Sequence, residues 1–377
     1  MELFKLAEKM EKFFPWRMEG TSMLPNVLLM CKLMFILLMA HGFYGYIADP
    51  FLPFFQELDF FGKYPGIYEA VMKTLFLVSG TLLLLNFQVR AMAIIAGITI
   101  LMVLLSSKPL FRNHILICGC ALFLAGLSDR EKDPYLLYVQ LSIVYLGAFT
   151  NKVFQMDWWT GQFIHNWLYT VSQNHLYIFA SDLFPNSYFS KGLSWLSMLF
   201  EVVIGILLFF KRMHYLVVWL IIIFHGTLFS ITTFRFGHFL DDILIYLLVF
   251  ANWPVGRMSV EYSFSHRRIL GHFLWAINWE RRIEHTPAQM EGKLWLKVMT
   301  DDKDCFNWDG VRNLLLNSPS FYITIFVLDL LIRVFFEQPF QHIAQLMILW
   351  GSLIFFLPWG PLLGIRSKKV GAHLKMG

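Results

Sequence analysis

An all-α bundle of membrane-crossing helices is the fold this sequence predicts, and three observations predict it. Of 377 residues, 57% are hydrophobic and 15% charged, where a soluble domain carries about 25% charge and 45–50% apolar residues. The apolar residues fall in blocks close to the ~20 needed to cross a bilayer. The breaks between blocks are short, the tightest being Gln88–Arg90, Lys108–Leu110 and Lys211–Arg212, which makes consecutive helices antiparallel neighbours.

In order along the chain, residues 1–20 predict an amphipathic interfacial helix, with Leu3, Phe4, Leu6, Met10, Phe13 and Phe14 opposed to Lys and Glu. Residues 21–255 form the expected membrane domain. Its eight spans are placed at about 24–47, 68–87, 91–108, 111–128, 135–152, 192–210, 213–232 and 238–253. Two connections, 49–68 and 156–190, carry too much Phe, Tyr and Trp for solvated loops, and predict segments lying at the interface. Residues 256–319 are polar and basic, a small segment expected on the cytoplasmic side. Residues 320–377 hold up to two further membrane helices, about 320–337 and 343–363, and a basic tail. Asp329 and Arg333 are spaced i, i+4 on the first of these, the spacing of an intrahelical ion pair.

Charge orients the bundle. With the N-terminus inside, the inside segments through Arg312 hold eighteen Lys and Arg, and the outside segments hold six: Lys63, Lys108, Arg112, Lys152, Lys191 and Arg235. That bias places the N-terminus in the cytoplasm. The net charge of +5 speaks to topology, and no nucleic-acid-binding module is visible. Three of the four cysteines, Cys31, Cys118 and Cys120, lie in apolar blocks and read as core residues, not a disulfide framework. The N-terminus lacks a signal-peptide core. Together these features predict a multi-pass protein of a bacterial inner membrane.

Ionisable residues inside a membrane are costly and face the bundle interior. By the alternation of spans, His41, His114, Lys152, His225, Arg235 and His238 collect at the outer end. Each has a structural alternative. His114 and His225 could satisfy interhelical hydrogen bonds. Lys152, at the end of its span, could snorkel to the interface or be held inside as a base. Trp158 could belong to an interfacial belt. Glu201 lies deeper, and is either protonated or paired. No H-x-x-x-H or H-E-x-x-H spacing is present, so no metal site is predicted, although His41, His114 and His225 could meet across three helices. Nor is there a serine elbow or P-loop.

Three pieces in order resemble the HTTM (horizontally transferred transmembrane) domain family and the similar membrane domain of vitamin K-dependent gamma-glutamyl carboxylase. They are FRNHILICGCALFLAGLSD (111–129), YLGAFTNKVFQMDWWTG (145–161) and FHGTLFSITTFRFGHFL (224–240). With the flanking spans the resemblance covers about 20–255. It implies a reduced quinone, a vitamin K-like hydroquinone, as cofactor. It implies Lys152 as catalytic base, with His114 as its hydrogen-bonding partner. Asn113, His225, Glu201, Trp158, His41 and Arg235 are expected around the cofactor. The chain has no counterpart of the carboxylase's large lumenal portion. A second stretch, KLWLKVMTDDKDCFNWDG (293–310), resembles a thiol oxidoreductase-like unit, reading as strand, acidic turn and Cys-led helix. Trp308 stands where that unit has its second cysteine, so dithiol exchange is excluded.

The function this predicts is a quinol-linked, carboxylase-like (lyase-type) membrane enzyme modifying a peptide or small substrate on the outer face. The alternative is a non-enzymatic maturation or export factor for a secreted peptide. A transporter is disfavoured, because no inverted repeat is visible. The expected partners are the bilayer, a lipophilic quinone and a secreted peptide.

Overall fold

The computed structural model describes residues 14–356, apart from positions 49, 131, 185–186, 233–236, 252–257, 280, 291, 301–303 and 338–339. Helices occupy every apolar block. α1 (Pro25–Ala40) starts on a proline, whose missing N–H costs nothing in a first turn. It is followed by Gly42, whose positive φ of 75° redirects the chain into the single turn α2 (Phe43–Tyr46). Then come α3 (Pro65–Leu84), α4 (Val89–Ser106), α5 (Asn113–Leu127) and α6 (Tyr135–Val153). Among the described residues, four stretches are long and apolar enough to cross a bilayer alone: α3, α4, α10 (Tyr188–Leu207), and Lys211–Ile231, which contains α11 (His214–Ile231). The 16 residues of α1 and 15 of α5 reach only roughly 24 and 22 Å, short of the ~30 Å hydrocarbon core. The eighth block is α12 (Gly237–Tyr246), finished by a 3-10 turn to Phe250.

Small residues set the closest approaches. A Cβ on Gly97 of α4 would lie 2.5 Å from the Phe123 amide nitrogen of α5. Between α6 and α10, the Ser142 hydroxyl donates to the Gly205 carbonyl at 2.6 Å, and a Cβ on Gly205 would meet Leu146 at 2.7 Å. Without a hydrophobic drive inside lipid, such van der Waals contact and interhelical bonds hold the bundle. In the first half of α1, Lys32 is fully buried yet satisfied. It donates to the carbonyls of Pro15 and Leu84 and to Asn86 Oδ1.

The interfacial helix expected over 1–20 lies, for residues 1–13, outside the described residues. Residues 14–20 form turns instead. Their carbonyls are taken by side chains of the bundle: Asn86 Nδ2 donates to Phe14 O and Arg17 O, and Lys32 to Pro15 O. The basic tail also lies outside the described residues.

Between the bundle and the C-terminal helices sits a small sheet, of which the sequence suggested only β3 and the helix after it; the expected acidic turn falls on 301–303, outside the described residues, and Cys305 lies in a strand and does not lead the helix. β1 (Met258–Ser263) leads through α13 (Arg267–Ile277) to β2 (Ile283–Ala288), which pairs with it in parallel. β3 (Leu296–Met299) and β4 (Asp304–Phe306) add antiparallel on the other side of β1, giving the order β2-β1-β3-β4. α14 (Asn307–Leu316) covers the sheet, with Leu314 packed against Leu296 and Val298. Cys305 is buried in β4, where Asn313 Nδ2 approaches its sulfur at 3.2 Å. Last come α15 (Pro319–Phe335) and α16 (Phe340–Phe356).

Candidate functional site

The second long connection builds a layer over one end of the bundle. α7 (Met156–Thr160), α8 (Gln162–His165), a π-helical turn (Asn166–Val171) and α9 (His175–Asp182) fold back onto α10. Trp158, Ile164, Leu168, Tyr177 and Met198 form a core of their own, which is why this aromatic-rich stretch is no solvated loop. Gly161 is what lets the layer dock. It takes φ +74°, and a Cβ there would lie 2.4 Å from the Lys191 amide nitrogen of α10.

Under this layer, Lys152 does not reach outward. Its side chain is 16% exposed, and its ammonium group donates to Oε1 of Glu201, whose side chain is 7% exposed. The indole of Trp158 lies beneath the same nitrogen, 4.7 Å from ring centroid to Nζ. Two turns earlier on α6, the hydroxyl of Tyr145 shares a hydrogen bond of 2.7 Å with His225 Nε2. Glu201 is within electrostatic reach of Tyr145, and Lys152 of His225. These four side chains form one buried polar group on α6, α10 and α11. Oε2 of Glu201 is buried with no hydrogen-bond partner among the described residues. A buried acceptor left open costs free energy, so this oxygen is a place for a hydroxyl to donate.

The expected partnership of Lys152 with His114 is not the one the structure makes. His114 opens α5 with its ring 6.2 Å from that of His238, and the ring of His238 lies 3.9 Å from that of His41. His41 Nε2 is 3.6 Å from Asp241 Oδ2. Arg333 of α15 donates to Asp241 Oδ2 at 2.6 Å and to Asp329 Oδ2 at 2.7 Å, so the i, i+4 pair read from sequence exists and reaches across to α12. Gln345 of α16 donates to Asp329 Oδ1 at 2.8 Å. The polar residues therefore divide into two groups: Lys152, Glu201, Tyr145, His225 and Trp158, and then His41, His114, His238, Asp241, Asp329 and Arg333. Asn113 is exposed in the first turn of α5, and Arg235 lies outside the described residues. Phe239 sits between the groups, its ring 5.2 Å from that of His225.

Tyr145 was missed in the sequence. It stands inside the stretch that carries Lys152, but nothing in a single tyrosine on an apolar helix marks it as the partner of a histidine 80 positions on. Asp241 lines an apolar cavity of about 300 Å³ between α11, α12, α15 and α16, with Trp219, Phe229 and Phe326 on its walls.

Helices of this length and apolarity, with ion pairs buried between them, define a multi-pass helical membrane protein. More particularly, the HTTM domain family model matches residues 133–253, about a third of the chain, and the chain carries an HTTM domain there. The match is narrower than the resemblance read from sequence. It contains the whole of the Lys152 group, but not His41, His114, Asp329 or Arg333. No curated protein and no solved structure matches the chain.

Proposed function

We propose that this chain is a quinol-linked membrane enzyme, acting at the outer end of its HTTM domain on a peptide or small substrate. The observation that carries this reading is the placement of Lys152. A snorkelling lysine extends its ammonium to water, whereas this one is turned inward onto Glu201 and over Trp158. The resemblance to vitamin K-dependent carboxylase supplies the cofactor class. One residue fits it directly: Glu201 Oε2 is an open acceptor for a quinol hydroxyl.

When bound, a hydroquinone supplies two electrons and two acidic hydroxyl protons. The protein's part is proton handling. An ammonium cannot accept a proton, so Lys152 must first lose one. Transfer from Lys152 Nζ to Glu201 Oε1 turns the ion pair into an amine and a carboxylic acid with no net charge moved in or out, which suits a low-dielectric site. The neutral amine is then the base for a hydroxyl placed beside it. The Tyr145–His225 pair lends the site a second polar wall without adding charge.

We place the active end outside and the N-terminus in the cytoplasm of a bacterial inner membrane, from the Lys and Arg bias. The first test is chemical. Protein in nanodiscs is extracted with organic solvent, and any co-purifying quinone is identified by mass spectrometry. Reduced vitamin K is then titrated against the wild type, Lys152→Ala and Lys152→Arg. Arg keeps the charge but gives up no proton, so hydroquinone turnover is lost in both variants while assembly persists. Turnover equal to wild type in Lys152→Arg overturns the base role. No bound quinone and no difference among the three proteins overturns the enzyme reading in favour of the maturation factor.

A further inference from the structure

The histidine group on the other side of Phe239 has a composition that the Lys152 chemistry does not use. His41 follows α1, and His238 and Asp241 are spaced i, i+3 on one face of α12. One ligand atom from each lies within 4.8 Å of the other two. A tetrahedral ion with bonds of ~2.0–2.1 Å holds its ligand atoms about 3.3 Å apart, so a small inward movement of side chains closes the set. Two imidazoles and one carboxylate are a donor set for a zinc-class divalent ion, with a fourth position left to water.

A second observation is independent of the spacing. His41 has a side chain 10% exposed, and both its ring nitrogens are buried without a hydrogen-bond partner among the described residues. A neutral imidazole has one donor and one acceptor to satisfy. Leaving both empty is a cost the surroundings do not offset. Nε2 already points at Asp241.

Charge points the same way. Among the described residues, the carboxylates of Asp241 and Asp329 share a single guanidinium, that of Arg333, which leaves a surplus carboxylate for a cation. The Asp241 side chain is only 17% exposed, where an uncompensated charge is expensive. The supporting shell is also in place. Arg333 holds Asp241, while Asp329 holds Arg333 and Gln345 holds Asp329. Ligating carboxylates are fixed by such outer hydrogen bonds. His238 is exposed, and gives an ion a way in.

We propose that His41, His238 and Asp241 form a binding site for a zinc-class divalent cation, supported by Arg333, Asp329 and Gln345. The site joins α1 and α12 of the bundle to the C-terminal helices α15 and α16. It does not depend on the quinol reading, since it shares no residue with the Lys152 group.

The test is metal binding by the full-length protein in nanodiscs. After chelator treatment and dialysis, Zn²⁺ is titrated and bound metal is counted by elemental analysis. Co²⁺ then reports coordination through its visible absorption. One ion per chain is expected. His41→Ala and His238→Ala are expected to weaken binding by more than about 100-fold, and Arg333→Leu, which removes the direct partner of Asp241, by about 10- to 100-fold. His114→Ala, beside the site but outside the donor set, retains binding. His238 is exposed, so its replacement spares the packing if His41→Ala does not fold. The proposal is overturned by wild-type protein that takes up no Zn²⁺, by wild-type-like binding in His238→Ala, or by loss of binding in His114→Ala.

Discussion

Lys152 and Glu201 stand 49 positions apart in the chain and meet as an ion pair inside the bundle, lysine donating to Oε1. Their partnership follows from the register of α6 against α10. Ser142 bonded to the Gly205 carbonyl, and Leu146 packed on Gly205, bring Glu201 level with the last turn of α6. The lysine's inward turn is then dictated by its partner.

That pair makes a prediction about stability separate from activity. Removing one member of a buried ion pair leaves an uncompensated charge, at a cost of about 3–5 kcal/mol, while replacing both with apolar residues is often neutral. Lys152→Met and Glu201→Leu are each expected to destabilise the protein, Glu201→Leu more, since it strands the ammonium. The double variant should recover most of the loss. Thermal unfolding in one detergent gives the cycle; additive losses in the double variant would show that the two side chains do not interact.

A similar logic applies to Tyr145 and His225. Tyr145→Phe leaves the His225 ring without its 2.7 Å partner in an apolar setting, which costs roughly 1–3 kcal/mol. Replacing both residues with Phe removes the unpaired group, so the double variant should be no less stable than Tyr145→Phe. A double variant that falls well below it would mean His225 is held by something other than Tyr145.

The helices were legible because a bilayer leaves a helix little choice of composition; each apolar block became helix within a few residues, and four of the helices are long and apolar enough to cross alone. The gathering of His41, His114, Lys152, His225 and His238 at one end was legible from alternation alone. Which of them touch was not. Alternation fixes depth but not the rotation of each helix about its axis, and rotation is what sends Lys152 to Glu201 and His114 towards His238. The spacing of His238 and Asp241 on one helical face is visible in the sequence, but their third member, His41, is almost two hundred residues away. The sheet was hidden for another reason. β1 and β2 are six residues each and are separated by an amphipathic helix, so neither a long alternation nor a hairpin turn announces them. β3 and β4 did carry a local signal, in the alternation of the stretch that reads as a strand before the acidic residues 301–304.

Two glycines in the HTTM domain should respond in opposite directions to the same substitution. Gly147 lies in the interior of α6 with nothing within 4 Å of its Cβ position. Alanine there gains helix propensity, worth roughly 0.5–1 kcal/mol, with no clash. Gly161 combines φ +74° with a Cβ position 2.4 Å from the Lys191 amide nitrogen and 2.7 Å from the Ser190 carbonyl carbon. All three atoms belong to backbone or a new Cβ, so no side chain can swing aside, and the α7 layer must lift from α10. Gly161→Ala is therefore expected to cost more than the ~1–3 kcal/mol of a strained φ alone, and to carry Trp158 away from Lys152. Unfolding temperature orders the three proteins as Gly147→Ala, wild type, Gly161→Ala. Tryptophan fluorescence should shift only in the last, and an unchanged spectrum with wild-type stability in Gly161→Ala would show that the layer does not rest on α10 at this point.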